Sequence, residues 1–145
     1  MPPPPDDLYA DVHRQTGGRL FTVMVLDRAA GLARRVYTSH PDTYPVSGAK
    51  PMGQGAWTEK VVDRGEVFVA NTVDEFALYF PDHGVIESLG CASALNVPIS
   101  KDQVIGTINI LDRAHYFSPP AVAHCLAVVE KFHEDLAAAM DRHPR

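Results

Sequence analysis

The stretch that most constrains this chain is residues 92–113, ASALNVPISKDQVIGTINILDR. It reads as two strands joined by a tight turn at Lys101-Asp102, which commits the chain to antiparallel pairing. With that two-residue loop, Ser100 pairs with Gln103 and the register follows by counting outward. Ile99 then lies beside Val104, Val97 beside Gly106, Leu95 beside Ile108 and Ser93 beside Ile110. Side chains alternate along a strand, so Ile99, Val97, Leu95, Val104, Ile108 and Ile110 share one almost wholly apolar face. The other face carries Ala94 beside Asn109, Asn96 beside Thr107, and Pro98 beside Ile105.

That second face groups Asn96, Thr107 and Asn109 among residues expected to be buried. A buried amide left without a partner costs about 1–3 kcal/mol. A loop's backbone, an ordered water or a ligand must therefore satisfy it.

The rest of the chain supplies partners for this hairpin. Residues 1–5 (MPPPP) are expected to be a polyproline-like tail, 6–141 one domain, and 142–145 a second tail. Asp6 and Asp7 open a short helix that ends at Gly17-Gly18. Residues 20–27 (LFTVMVLD) form a central strand, and 32–39 (LARRVYTS) return as its partner. On that partner Arg35, Tyr37 and Ser39 share one face, which makes Tyr37 a candidate pocket wall beside the plainer readings of an exposed or a core tyrosine. Residues 40–55 hold three prolines and three glycines and read as a long binding loop or lid.

Helical spacing resumes at 56–64 with Trp57, Val61 and Val62 inward, and 66–70 (EVFVA) is a short strand. In the irregular stretch 71–90, Asn71 or Thr72 caps a turn of helix through Phe76, closed by Pro81. A second short helix covers 82–89. Ser118-Pro119 is a strong helix start, and Val122, Leu126, Val129, His133, Leu136 and Met140 recur at helical spacing after it. The Leu95/Ile108 face is the natural partner of this long helix. Hairpin connections with helices on one side imply an α+β fold around an antiparallel sheet.

At 145 residues the chain is long enough to bury its own core as one domain. A hydrophobic fraction of 46% and a charged fraction of 21% fit a soluble globular protein rather than a disordered one. The net charge of −5 removes any global basic footprint for nucleic acid or an anionic membrane. No apolar run approaches the roughly 18 residues of a membrane span, and no charged-then-apolar leader opens the chain. Cys91 and Cys125 are far apart and read as reduced thiols, so the cytoplasm is the expected compartment.

In order and spacing these segments resemble a GAF domain. The residues that carry the resemblance are 20–27, 53–65 (GQGAWTEKVVDRG), 66–71 (EVFVAN), 93–99 (SALNVPI) and 104–111 (VIGTINIL), with Phe117-Ser118 leading into the last helix. The resemblance spans about residues 8–140. It implies a central six-stranded antiparallel sheet with terminal helices on one face, and loops and short helices enclosing a ligand pocket on the other. Pockets of that family hold cyclic nucleotides, bilins, haem, amino acids or other metabolites, so the cofactor stays unknown. It further implies a homodimer through the terminal helices and signalling through a protein partner.

Asn96, Thr107 and Asn109 are then the candidate ligand-orienting groups, Tyr37, Trp57, Phe76 and Tyr79 the candidate walls, and His83 a polar neighbour. The simpler reading of His83 is a surface residue behind a helix-capping Asp82.

Departures from the family's patterns bound the function. The chain carries no kinase, cyclase or DNA-binding output region and is expected to work as a stand-alone sensory unit. The Asn-Lys-x-x-x-Phe-x-x-x-Asp-Glu pattern of cyclic-nucleotide binders and the motifs of bilin attachment are missing. One branch of the family, the free methionine-(R)-sulfoxide reductases, is enzymatic and uses cysteines. Cys91 invites that comparison, although Cys125, expected across the sheet, is poorly placed to resolve it. A structural dimerisation module with an empty or collapsed pocket is a third reading. The seven histidines are scattered without metal-ligand spacing.

Overall fold

A computed structural model of the chain describes residues 5–46, 49–52, 55–80 and 83–143. The first four tail residues, the Pro81 stop, the Asp82 cap and the last two residues lie outside the described residues.

α1 (Pro5–Thr16) carries Asp6 and Asp7 in its first turn, where carboxylates oppose the helix dipole. Gly17, at φ +75°, closes it by donating its N–H to the His13 carbonyl at 2.8 Å. β1 (Leu20–Asp27), β2 (Leu32–Thr38), β3 (Ala49–Pro51), β4 (Phe68–Ala70), β5 (Ser93–Ser100) and β6 (Val104–Asp112) make one sheet in the order β3-β2-β1-β6-β5-β4. Every neighbouring pair is antiparallel. β1, β5 and β6, the strands strongest in sequence, form its centre. β3 arises inside the stretch that reads as pure loop, because three residues are too few to show a period. Its Pro51 sits where a proline is tolerated, on an edge strand.

The central hairpin has a longer loop than the sequence suggests. Asn96 lies opposite Asn109 and Val97 opposite Ile108, two residues away from the register counted out for a two-residue turn, while Ser100 beside the loop lies opposite Val104, one residue away. An even slip leaves every side chain on its expected face and changes only its partner. A bulge between Ile99 and Ser100 leaves Ile105 unopposed. It sends Ile105 into the core under the helices and turns Val104 toward Leu26, Ala33 and Val62, the reverse of the sequence expectation for both.

One face of the sheet packs on α1, α4 (Pro119–Lys131) and α5 (His133–Asp141). Phe21, Val23, Leu95, Ile108 and Ile110 meet Tyr9, Val12, Leu136 and Met140 there, all fully buried. Gly106 permits the closest approach: a Cβ would lie 2.4 Å from the Met24 carbonyl oxygen and 2.7 Å from Met140 Sδ. The last helix starts as its sequence indicates, with Ser118 Oγ accepting the Ala121 N–H and Pro119 in the first turn. It does not run unbroken. Phe132, at φ −100° and ψ 6°, divides α4 from α5, and both halves keep apolar residues on the sheet.

The opposite face is covered by shorter pieces: a π-helix (Thr58–Asp63), α2 (Val73–Ala77), α3 (His83–Ser88) and residues 40–46. The π-helix replaces the end of the expected α-helix. Its Arg64 N–H reaches the Glu59 carbonyl at 2.9 Å, five residues back, a wide turn uncommon outside functional regions.

Candidate ligand-binding cavity

Thr22, Met24 and Leu26 of β1, Asn96 of β5, and Thr107, Asn109 and Leu111 of β6 line a cavity of about 260 Å³. The register explains the grouping. Thr22 lies opposite Asn109, Met24 opposite Thr107, and Asn109 opposite Asn96, so the polar groups occupy adjacent rungs of three central strands.

The hydrogen bonds across this floor run in one direction. Trp57 Nε1–H donates to Asn96 Oδ1 at 3.0 Å, Asn96 Nδ2 to Asn109 Oδ1 at 2.9 Å, and Asn109 Nδ2 to Thr22 Oγ1 at 3.2 Å. An indole N–H can only donate, which fixes Asn96 with its oxygen toward Trp57 and sets the orientation of each group behind it. The structure thus answers the question of what satisfies the amides. They satisfy one another, and Trp57 anchors the row.

Thr107 is outside the row. Its Oγ1 is buried and has no hydrogen-bond partner among the described residues, and the residue is only 1% exposed. Buried hydroxyls ordinarily find partners, which makes this one an exception among the floor residues.

The walls are apolar and aromatic. Trp57 and Phe80 meet edge to face at 6.5 Å, and Tyr79 stands edge-on to Phe68 at 5.6 Å. Tyr44 closes the side under residues 40–46. The Arg35 guanidinium lies 3.5 Å above its ring, and Arg35 Nη1 donates to the Pro45 carbonyl at 2.9 Å. Leu78, 85% exposed, stands at the mouth.

Of the residues singled out from sequence, Asn96, Thr107, Asn109, Trp57 and Tyr79 come together on this cavity. Three do not. Tyr37 lies opposite Val23 on the helix-covered face, 5.6 Å from Tyr9 and 6.0 Å from Phe21. A bulge in β2 between the partners of Val23 and Met24 separates Tyr37 from Arg35, which sends them to opposite faces. Burial there pushes the Tyr37 phenol above its ordinary pKa. Phe76 is fully buried behind the wall, stacked on Phe80 at 5.4 Å. His83 is on the outer side of α3, with Nδ1 3.0 Å from Glu87 Oε2, one helical turn on.

Sequence reading missed Thr22 and Met24, although their alternation with Phe21 and Val23 would have found them. It also missed Tyr44, for which no periodic signal exists.

The thiols stand apart from the cavity wall. Cys91 is buried in the cluster of Leu20, Phe76 and Ile86, and burial, reinforced by the Asp112 charge against that of Arg19, pushes its pKa up to about 11. Cys125 is buried in the core under the helices, and burial raises its pKa too. Among the described residues no group of three or more His, Cys, Asp or Glu could hold a metal ion. Among them, too, no helix is long and apolar enough to cross a membrane.

No family model and no curated protein matches the sequence. Solved structures do match in fold. The GAF domain/HD domain protein from Geobacter sulfurreducens is 14% identical with a TM-score of 0.71, covering 96% of this chain and 95% of that one. The GAF domain of a two-component sensor histidine kinase from Bacillus halodurans is 16% identical, with a TM-score of 0.70 and coverages of 94% and 92%. A free methionine-R-sulfoxide reductase from Neisseria meningitidis, solved with its substrate, is 16% identical, with a TM-score of 0.67 and coverages of 95% and 78%. An antiparallel sheet between a helical layer and a layer of short elements, matched over nearly its whole length by these domains, gives this chain the GAF-domain fold.

Proposed function

We propose that this chain is a sensory module that binds a small molecule in the cavity and passes its occupancy to a protein partner, with no catalytic output of its own. The observation that carries this reading is the cavity itself, about 260 Å³ over a paired polar floor and walled by Trp57, Tyr79 and Phe80. Fold neighbours in sensor proteins agree with it. The Trp57–Asn96 bond supplies a route for occupancy to travel, because a ligand that disturbs the floor pulls on the π-helix. The proposal includes a cytoplasmic homodimer joined through α1, α4 and α5, to be read from mass in solution by light scattering.

The sulfoxide-reductase reading shares the fold. Its chemistry requires a thiolate, and a thiol pushed to about 11 is almost wholly protonated at neutral pH. Cys125 sits across the sheet in a different cluster, which gives Cys91 no resolving partner. Methionine sulfoxide reduction that disappears in Cys91→Ser would reverse this preference.

The test of the sensory reading is native mass spectrometry of the purified protein before and after denaturation, followed by a thermal-shift screen of metabolites. A small molecule released on denaturation, or a metabolite that raises Tm, is expected for the wild type and not for Asn109→Leu. Equal binding by wild type and variant would remove the cavity from the proposal.

A further inference from the structure

On the reading that the cavity is a binding site, what lines it narrows the class of ligand. Among its described lining residues none carries a formal charge. Arg35 stacks on the Tyr44 ring and donates to the Pro45 carbonyl, but it is not itself a lining residue. An ion drawn into the cavity gives up its hydration and meets no opposite charge in return. Aromatic rings attract cations, yet a ring face returns only part of what an ammonium loses on leaving water. The floor makes no demand of its own. Asn96 and Asn109 are bonded to each other, to Trp57 and to Thr22 before anything enters. An apolar molecule resting on them breaks none of these bonds. Above the floor the wall is mostly apolar, with Met24 and Met52 joining the aromatic side chains. Thioethers are polarizable and adaptable, and they pack well against flat rings.

Size adds a further limit. An apolar cavity of roughly 150 Å³ takes one benzene ring. At about 260 Å³ this one has room for one or two rings, and it falls just below the roughly 300–1,000 Å³ of sites for drug-sized molecules. We infer that the cavity selects an uncharged, largely apolar molecule of one or two rings, held by contact with the aromatic and thioether wall rather than by an ion pair.

A series with one carbon skeleton tests this: indane, indane-1-carboxylate and 1-aminoindane, titrated into the full chain at neutral pH. Trp57 is the only tryptophan, so its single indole N–H resonance reports directly on the cavity. The expected result is that indane shifts this resonance and binds at least about tenfold more tightly than either ion. Met52→Lys places an ammonium on the wall at a partly exposed position and should narrow the gap between indane and the carboxylate by about tenfold. A folded variant that leaves the gap unchanged would move the ligand off this wall and overturn the assignment; the wild-type ranking decides the charge preference whether or not the variant folds. Equal or tighter binding by the carboxylate or the amine in the wild type would overturn the ligand class and leave the sensory reading standing. No binding of any of the three at millimolar concentration would overturn both this inference and the reading it rests on.

Discussion

The two faces of the sheet are built from the same three central strands and do opposite things. Under the helices, Phe21, Val23, Leu95, Ile108 and Ile110 are fully buried, and Gly106 is bare so that Met140 can approach. On the other face the same strands present Thr22, Asn96, Thr107 and Asn109 to a cavity. Hydrophobic burial and close packing stabilise the first. The second gives up packing volume and leaves one hydroxyl without a partner. Strand alternation permits this division, since a substitution on one face need not disturb the other. The comparison teaches that stability and binding are separable here, and point changes can pull them apart.

The largest expected effect comes from the helix-covered face. Ile108→Ala should destabilise the protein by about 4 kcal/mol, because the surrounding helices cannot collapse into the space. Met24→Ala, which enlarges a cavity already present, should cost about half as much. Urea unfolding of both variants measures the difference. Equal costs would mean the cavity face is as tightly packed as the other.

Asn109→Leu comes next. It removes the acceptor of Asn96 and the donor to Thr22 together, at a cost of about 2 kcal/mol. It should also free the Trp57 end of the row, visible as a moved indole N–H resonance. A variant as stable as the wild type would show that these bonds are replaced within the cavity.

Alkaline pH probes the cavity side through Cys91. Its thiol titrates near 9.0 when unfolded and near 11 when folded, so between those values the native state holds a proton the unfolded state has lost. Stability is whole below pH 9 and falls as pH rises toward 11. Tyr9, also raised by burial, acts in the same direction at higher pH, so the comparison must be with Cys91→Ala, whose decline should be shallower. Identical urea midpoints against pH for the two proteins would place the Cys91 thiol in contact with water.

The sequence made the sheet's centre legible because β1, β5 and β6 alternate or run apolar for eight or nine residues. It also showed which hairpin side chains share the polar face, and it did so with a register two residues wrong, since an even slip preserves facing. What it could not show were features set by a single residue of local geometry. The bulge in β2 moved Tyr37 across the sheet, the one beside Ile105 moved Val104, and the break at Phe132 divided the last helix. Nor could it find Tyr44 and Phe80, because the short elements over the cavity take their positions from what they cover. Strands were legible by period. The lid was not, having none.

The smallest effect is the one that most sharply separates the two roles. Thr22 and Thr107 lie on the same floor, both almost fully buried, yet Thr22 Oγ1 accepts the bond from Asn109 and Thr107 Oγ1 has no partner. Replacing each by valine keeps the shape and exchanges a hydroxyl for a methyl. Thr22→Val should lose about 1 kcal/mol, because it orphans an amide N–H at the end of the row. Thr107→Val should gain about 1 kcal/mol, because it removes a buried group that bonds to nothing. Chemical denaturation of the pair reads the two signs side by side. If both variants lose stability, the Thr107 hydroxyl has a partner of its own in the free protein. If the signs are opposite, two hydroxyls on one floor act in opposite senses, the one at Thr22 holding the end of the amide row and the one at Thr107 costing stability.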